Sequence, residues 1–546
     1  MRKLIIATLL LFALLITWTQ SWLFIPKPKI DDLSIVHHQL DSLGEGRLVY
    51  HKNFINVQKD GLWELYTEGS PFEIGYATGI LTKDILHKHE DAFISKVIEN
   101  SPIQSHFGVR LFNSLFHRHL DNRILPEYLE EIYGLSQHTK KEFDVFGDDY
   151  QRVLNYHGLY DLERSFDKVE INSSVSFAIG KSKTNNQGIL IGRNFEYDLN
   201  DEFQRDKIIH FVYPESGFKF ASLTWGGFIG TVTGMNEMGL TVATHPIKSD
   251  QPTKATYPVS IIGREILQYA MTVDEAYNIA LTKDSYVRES FLVASAFDTT
   301  AIIIEKTPDG IDSIHIDQEA LVATNHLQSK KLNETHLYNL DHATYYKSIR
   351  LRELIDNQQS FDVHAMANVL RDTKGFENTT IGFGNHKSVN ALNLHHSVIF
   401  KPKTRQMWVS THHRQLGKYY CYNLDSVFSN TQNYPPKTSL ASKEFTLPEA
   451  DFIYSQEYRN YNSYKSFVEL ITNWSPKDPP FKDKELMHFK RLNPESYQTY
   501  EHLGDYYRKL RDWDMAAINY RIALSKEVSS IHLKQEIEEK LYALRN

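Results

Sequence analysis

The stretch that most constrains this chain runs from Asn172 to Asp198, NSSVSFAIGKSKTNNQGILIGRNFEYD. It reads as two short strands joined by a polar turn. Ser174 opens the first strand, and Gly192-Arg193-Asn194-Phe195-Glu196 closes the second. Pairing of the two strands would carry Arg193 and Glu196 back beside Ser174. A hydroxyl, a fixed cation and a carboxylate are then expected to converge at one strand end.

The chain has 546 residues, enough to bury at least one large core and carry an appended module. Aromatics make up 12% of it and argue against disorder. A net charge of -8 leaves no electrostatic footprint for nucleic acid. The lone cysteine, Cys421, excludes an intramolecular disulfide, and its setting, LGKYYCYNL, reads as a half-buried position at a strand end. At the N-terminus, Arg2 and Lys3 precede a run from Leu4 to Trp18 broken only by Thr8 and Thr17. This is a basic segment followed by an apolar one, as in a signal sequence. A helix from Leu4 to Ile25 would span about 33 Å, long enough to cross a bilayer. Residues 1–26 are therefore read as a signal anchor or a removed signal peptide. Either places the body on the periplasmic or extracellular side, with membrane attachment in the first case.

From about Leu33 to Val169 the apolar residues recur at three- and four-residue spacing, which predicts helices. From Val175 to Thr244 the pattern changes to strands punctuated by Gly and Asn. Helices and strands then alternate in blocks as far as QMWVST, which suggests sheets covered by helix layers. Residues 426–485, rich in Asn, Ser, Pro and Tyr, read as a linker or wrapping tail. In residues 490–546, Tyr500, Leu503, Gly504, Tyr507, Ala516, Tyr520 and Ala523 follow the tetratricopeptide pattern over one repeat. One repeat cannot bury its own face, so these helices are expected to dock on the body or on a protein partner. An ordinary helical hairpin accounts for the same pattern. His87/His89 and His117/His119 lack the spacing and carboxylate of a zinc-binding helix and read as solvated helix faces.

Several segments in order resemble the acyl-CoA:6-aminopenicillanate acyltransferase-like family of Ntn hydrolases, which is related to bile-salt hydrolases and N-acylethanolamine acid amidase. They are SPFEIGYATGIL, VLNYHGLYDL, SSVSFAIG with ILIGRNFEYD, GGFIGTVTGMNEMGL, ATNHLQS and SVIFKPKTRQMWVS. They fall within about Gly61 to Leu424, in a catalytic domain placed at residues 33–425. The resemblance implies an α+β fold, the four-layer αββα sandwich, here followed by the all-α C-terminal module. It also implies self-cleavage between Ser173 and Ser174. Ser174 stands where the family places a nucleophilic Cys. Arg193 and Asn194 match the family's Arg-Asn pair, and Glu196 stands where Asp is usual. Asn325, in TNH, matches the oxyanion-hole Asn, and His245 stands where another Asn is usual. Asn194 and Phe228 are expected to bind substrate.

Chemistry supports these assignments. A free α-amino group has a pKa of about 7.7–8.0, suited to a general base near neutral pH. On Ser174 it would take the proton of its own hydroxyl, whose oxygen attacks an amide carbonyl. Asn325 would donate to the oxyanion. Arg193 would hold substrate or polarise the nucleophile, Glu196 would orient the new ammonium, and His245 would replace an oxyanion donor or contact substrate. The expected reaction is hydrolysis of a linear N-acyl amide, small or lipid-like, or transfer of its acyl group to another amine. No metal or organic cofactor is implied. Two other readings stand beside it. One is a catalytically inactive Ntn-fold binding or scaffold protein that recruits partners through its C-terminal helices. The other is a peptidase that cuts only itself.

Overall fold

Two sheets carry the molecule, and period-two alternation decides what each strand face meets. The first has eleven strands, in the order β1 (Leu40–Gly44), β2 (Arg47–Tyr50), β3 (Asn53–Val57), β4 (Trp63–Gly69), β7 (Ile208–Pro214), β8 (Phe220–Thr224), β9 (Thr233–Asn236), β10 (Leu240–Ile247), β11 (Arg288–Ser295), β12 (Thr300–Thr307) and β13 (Gly310–His315). The second has seven, in the order β14 (Ala320–Ala323), β5 (Val175–Ile179), β6 (Leu190–Glu196), β15 (Leu394–Lys401), β16 (Gln406–Ser410), β17 (Tyr419–Asn423) and β18 (Ser442–Leu447). The structure, a computed structural model, describes residues 25–544 except 59, 101–105, 163–173, 198–200, 253, 318, 333–341, 412–413, 430–433 and 435–437. All but the last two residues of the expected leader, 1–26, lie outside the described residues. Among the described residues no helix is long and apolar enough to cross a membrane.

Three apolar clusters stack the layers. Phe211, Leu223, Leu292 and Ile303 of the first sheet meet Ile191, Val398, Phe400 and Val409 of the second. On the outer face of the first sheet, Val242, Phe291 and Ile302 pack against helices that contribute Ile74, Ile132, Leu154 and Ile262. On the outer face of the second, Val175, Phe177 and Ile399 pack against Leu351, Ile355, Met366 and Leu370. The result is the four-layer αββα sandwich that the family resemblance implies. In β5 the VSFAI alternation is directly visible. Val175, Phe177 and Ile179 point to the helix layer and Ala178 to the other sheet. Gly192 permits the close pairing of β6 with β5, since a Cβ there would lie 2.6 Å from the Phe177 ring.

Four expectations need correction. The region from Leu33 is not helical throughout. β1 to β4 form one edge of the large sheet before the first long helix, Pro71–Leu81. RLVY, NFINV and WELYTEG are short runs rich in β-branched and aromatic residues; they pair in succession, and only the last, β4, pairs with β7, far along the chain. Residues 426–485 do more than link. They supply β18, which pairs with β17, and the helix Gln456–Asn473, whose Tyr458, Tyr461 and Tyr464 are buried. Cys421 lies wholly buried inside β17 rather than half-exposed at an end, and burial pushes its thiol up to about 12. His89 and His117 are buried as well, not solvated.

At the C-terminus the helices Tyr497–Lys509 and Trp513–Leu524 form a hairpin. Its close approach is at Gly504, where a Cβ would meet the Tyr520 ring at 2.4 Å. Ala516 and Ala523 are buried in the same seam. The hairpin and the helix Gln456–Asn473 share an aromatic core that reaches Leu392 and Leu416 of the sandwich.

Candidate active site

β5 begins one residue after Ser174 and lies between β14 and β6. Ser176 is paired with Arg193 on β6 and with Ala323 on β14. Ser174 and Asn325, which follows β14 by two residues, therefore come to the same end of the sheet. Ser174 is fully buried. Its Oγ accepts the backbone N–H of Glu196 at 3.1 Å. The covalent neighbour Ser173, and with it the expected cleavage point, lies outside the described residues.

Alternation separates the charged groups of β6. Arg193 faces the space between the sheets, where it meets His245. Asn194 and Glu196 face the helix layer. Asn194 Nδ2 donates to the carbonyls of Leu370 and Val389, at 2.8 and 2.9 Å, which ties strand to helix layer. The Glu196 carboxylate is met by Lys347 Nζ at 3.1 Å, by Asn393 Nδ2 at 2.9 Å and by His386 Nδ1. The expected convergence of hydroxyl, cation and carboxylate is thus only partial. Residues three apart on a strand point to opposite faces, so Glu196 reaches Ser174 through its backbone N–H and not through its acid. Burial raises the Glu196 carboxyl, but Lys347 and His386 outweigh it and hold the group below the usual carboxylate range. A lowered carboxyl pKa adds stability that is complete above the unfolded value, about 4.3, and is lost as pH falls toward the folded value. Acid unfolding below about pH 4 is expected to flatten in Glu196→Gln, as read by tryptophan fluorescence against pH.

Arg193 is completely buried. Its Nη1 lies 3.1 Å from His245 Nδ1 and 2.9 Å from Nε2, and its Nη2 donates to the Thr244 carbonyl. The guanidinium sits 5.1 Å over the Phe195 ring. Burial pushes it down to about 9, with Tyr160 and Glu289 opposing. His245 Nε2 is 2.6 Å from Ser176 Oγ, and the ring is also hydrogen-bonded to the Ser174 backbone. Burial, then the neighbouring Arg193, hold this imidazole well below its ordinary value, so it is neutral near pH 7.

Ser176, inside the motif itself, and His245 form a buried hydroxyl–imidazole pair. The pair is poorly suited to catalysis. Proton transfer to His245 would create an imidazolium beside a buried guanidinium, which both desolvation and charge oppose.

Asn325 donates one Nδ2 hydrogen to the Pro246 carbonyl at 2.6 Å. That bond fixes the amide and leaves its second N–H for an oxyanion. Phe228 stacks on Trp225 at 4.2 Å and on His157 at 5.0 Å. It helps to line a narrow cleft of about 20 Å³ with His89, Phe93, Tyr160, Tyr197 and Trp225. Ser174 does not line this cleft; among its lining residues, Tyr197 is the chain neighbour of Glu196. Its free space suits little more than a water molecule, so a larger guest requires the aromatic rings to move apart. His89 Nδ1 accepts the Gly226 N–H at 2.9 Å, and burial pushes the ring down to about 4. The proton of the neutral ring is therefore on Nε2, which has no partner among the described residues.

Lys347, His386 and Asn393 were not legible as site residues. Lys347 carried one signal. With Leu351 and Ile355 it marks a buried stripe at four-residue spacing on the helix Ala343–Asp356, where a lysine is out of place.

Comparison with known proteins supports the same region. Residues 182–415 match the family model of Acyl-coenzyme A:6-aminopenicillanic acid acyl-transferase. That span contains Arg193, Asn194, Glu196, Phe228, His245 and Asn325, and it begins after Ser174. The chain is similar to an uncharacterized protein of Archaeoglobus fulgidus, 22% identical over 245 residues, which cover 42% of this chain and 40% of that protein. It is also similar to Protein dcd1A of Dictyostelium discoideum, 25% identical over 264 residues, 42% of this chain and 54% of that protein. The chain spans about half the length of the curated relatives it matches. Among solved structures it is similar to a Caenorhabditis elegans N-acylethanolamine-hydrolyzing acid amidase ortholog, with 17% identity, 42% of this chain and 93% of that one covered, and a TM-score of 0.31. A second is a variant of conjugated bile acid hydrolase from Clostridium perfringens, with 14% identity, 46% and 92% coverage, and a TM-score of 0.32.

Proposed function

We propose that this chain, which over residues 182–415 belongs to the acyl-coenzyme A:6-aminopenicillanic acid acyl-transferase family, is a self-processing amidohydrolase or acyltransferase with Ser174 as its N-terminal nucleophile. The observation that carries this reading is the placing of Ser174. Its hydroxyl accepts the Glu196 N–H at the first residue before β5, between the strand of Arg193 and the strand that leads to Asn325.

In the proposed reaction, cleavage of the bond before Ser174 frees its α-amine. The amine removes the hydroxyl proton, and Oγ adds to the carbonyl carbon of a linear amide. The tetrahedral oxyanion is met by the second N–H of Asn325. Collapse expels the amine, which takes the proton, and leaves an ester on Ser174. Water or a second amine then releases the acyl group. Arg193 and His245 hold the floor of the site, Arg193 through the Thr244 carbonyl and His245 through the Ser174 backbone. Glu196 serves by posture, its acid anchored to the helix layer while its backbone N–H orients the nucleophile.

The substrate class is an N-acyl amide whose apolar part enters the aromatic cleft, with a hydrogen-bond acceptor positioned for the Nε2–H of His89. On the same footing, the leader directs export, either as a membrane anchor or as a removed signal peptide, and the C-terminal helices are a tetratricopeptide-like unit.

Intact mass and N-terminal sequencing of the purified protein test the proposal. The expected result is two fragments, the larger beginning Ser-Val-Ser-Phe. A single uncut wild-type chain removes the amine base, and with it this mechanism, and leaves the binding-protein reading in front.

A further inference from the structure

The loop between the helix layer and β15 is held from two sides. On one side it reaches the site, where His386 Nδ1 and Asn393 Nδ2 meet the Glu196 carboxylate. On the other it is bonded to the C-terminal helices. Asn493 and Phe383 exchange two hydrogen bonds, at 3.1 and 2.8 Å. Asn385 Nδ2 donates to the Glu527 carbonyl at 2.7 Å, and Ser529 Oγ donates to Asn385 Oδ1 at 3.1 Å. The backbone N–H of His386 itself donates to Ser529 Oγ at 3.3 Å. Lys387 pairs with Glu527 at 2.5 Å. Asn385, Lys387 and Ser529 are all about 1% exposed, so the Asn385–Ser529 bond is shielded from bulk water. Gly382, at φ +80°, lets the loop lie directly on Ser496, where a Cβ would be 2.4 Å from its Cα.

We infer that the C-terminal helices are a positioning device for the site, in which Glu527 and Ser529 hold His386 against Glu196 and so keep the Glu196 N–H on the Ser174 hydroxyl. The line of contact is continuous: Ser529 to His386 through the backbone, His386 to Glu196 through the imidazole, Glu196 to Ser174 through the amide. The appended module is thereby part of the catalytic apparatus rather than a tethered passenger. This rests on the reading of Ser174 as the nucleophile only for its catalytic consequence; the mechanical link stands without it.

The test uses the full chain carrying Ser529→Ala with Glu527→Gln, alone and on a His386→Ala background. Lys540→Gln is the control, because Lys540 bridges Glu501 and Asp505 inside the module and does not touch the loop. Amide hydrogen exchange is followed in residues 193–197 and 381–393. The expected result is exchange about three- to tenfold faster in both segments of the double variant. On the His386→Ala background the double variant should add nothing at 193–197, and Lys540→Gln should leave 193–197 at the wild-type rate. Where the protein turns over an amide, kcat falls and KM stays. Unchanged exchange at 193–197, full additivity with His386→Ala, or an equal effect from Lys540→Gln would each overturn the inference. An uncut, inactive wild type overturns the nucleophile assignment, and exchange then still decides the link by itself.

Discussion

Ser174→Ala is expected to yield one uncut chain and to lower amide turnover by at least about four orders of magnitude. On the proposed mechanism the substitution removes the attacking oxygen in both the processing step and the acyl-transfer step, so the two losses should appear together. Its structural cost is small by comparison. Alanine lacks only the hydroxyl, and among the described residues the bond lost is that from the Glu196 N–H. Leaving that buried donor unmet costs about 1–3 kcal/mol, which a thermal scan separates from unfolding. Ser174→Cys should still process and turn over, since a thiol is intrinsically the stronger nucleophile and needs the adjacent base less. Ser176→Ala discriminates between the two buried hydroxyls. If it, and not Ser174→Ala, abolished turnover, the nucleophile would be Ser176 and His245 its base. The measurements are intact mass and steady-state rates on a panel of N-acyl amides.

Lys347→Met is expected to destabilise the body by about 3–5 kcal/mol. Both members of the Lys347–Glu196 pair have no exposed side-chain surface and lie 3.1 Å apart. Removal of the ammonium strands a carboxylate in the helix layer with, among the described residues, His386 and Asn393 left to meet it. Solvent screening does not soften this, because neither side chain is exposed. The double variant Lys347→Met with Glu196→Gln should recover most of the loss, since it removes the buried charge together with its partner. Thermal unfolding of the two singles and the double completes the cycle. An unshifted midpoint in Lys347→Met would show that the pair contributes nothing. Activity should fall further than stability explains, because the strand end that carries the Glu196 N–H is held by this same pair.

Much of the fold was legible because local pattern and environment agree. VSFAI and LIGRNFE alternate, and the structure buries one set against helices and the other between sheets. The early strands were missed for a different reason. RLVY and NFINV are too short to show a period by themselves, and they are strands because they pair with each other and with β4, which β7 flanks on its other side. His89 looked solvated because it sits among charged residues in HKHED; its burial follows from the helix lying on Gly226 and Phe203.

Residue order alone determined the chemistry on offer: a serine at a strand start, an arginine and a glutamate three residues apart, an asparagine after another strand. Even the opposite orientation of Arg193 and Glu196 was implicit in a two-residue strand period. Only tertiary structure decided what each group meets. Burial beside His245 makes Arg193 part of the floor, and Lys347, His386 and Asn393 turn Glu196 from a free acid into an anchor. The partners of Glu196 lie more than a hundred residues away along the chain. No local period encodes such distances; closure of the sandwich and docking of the C-terminal helices set them.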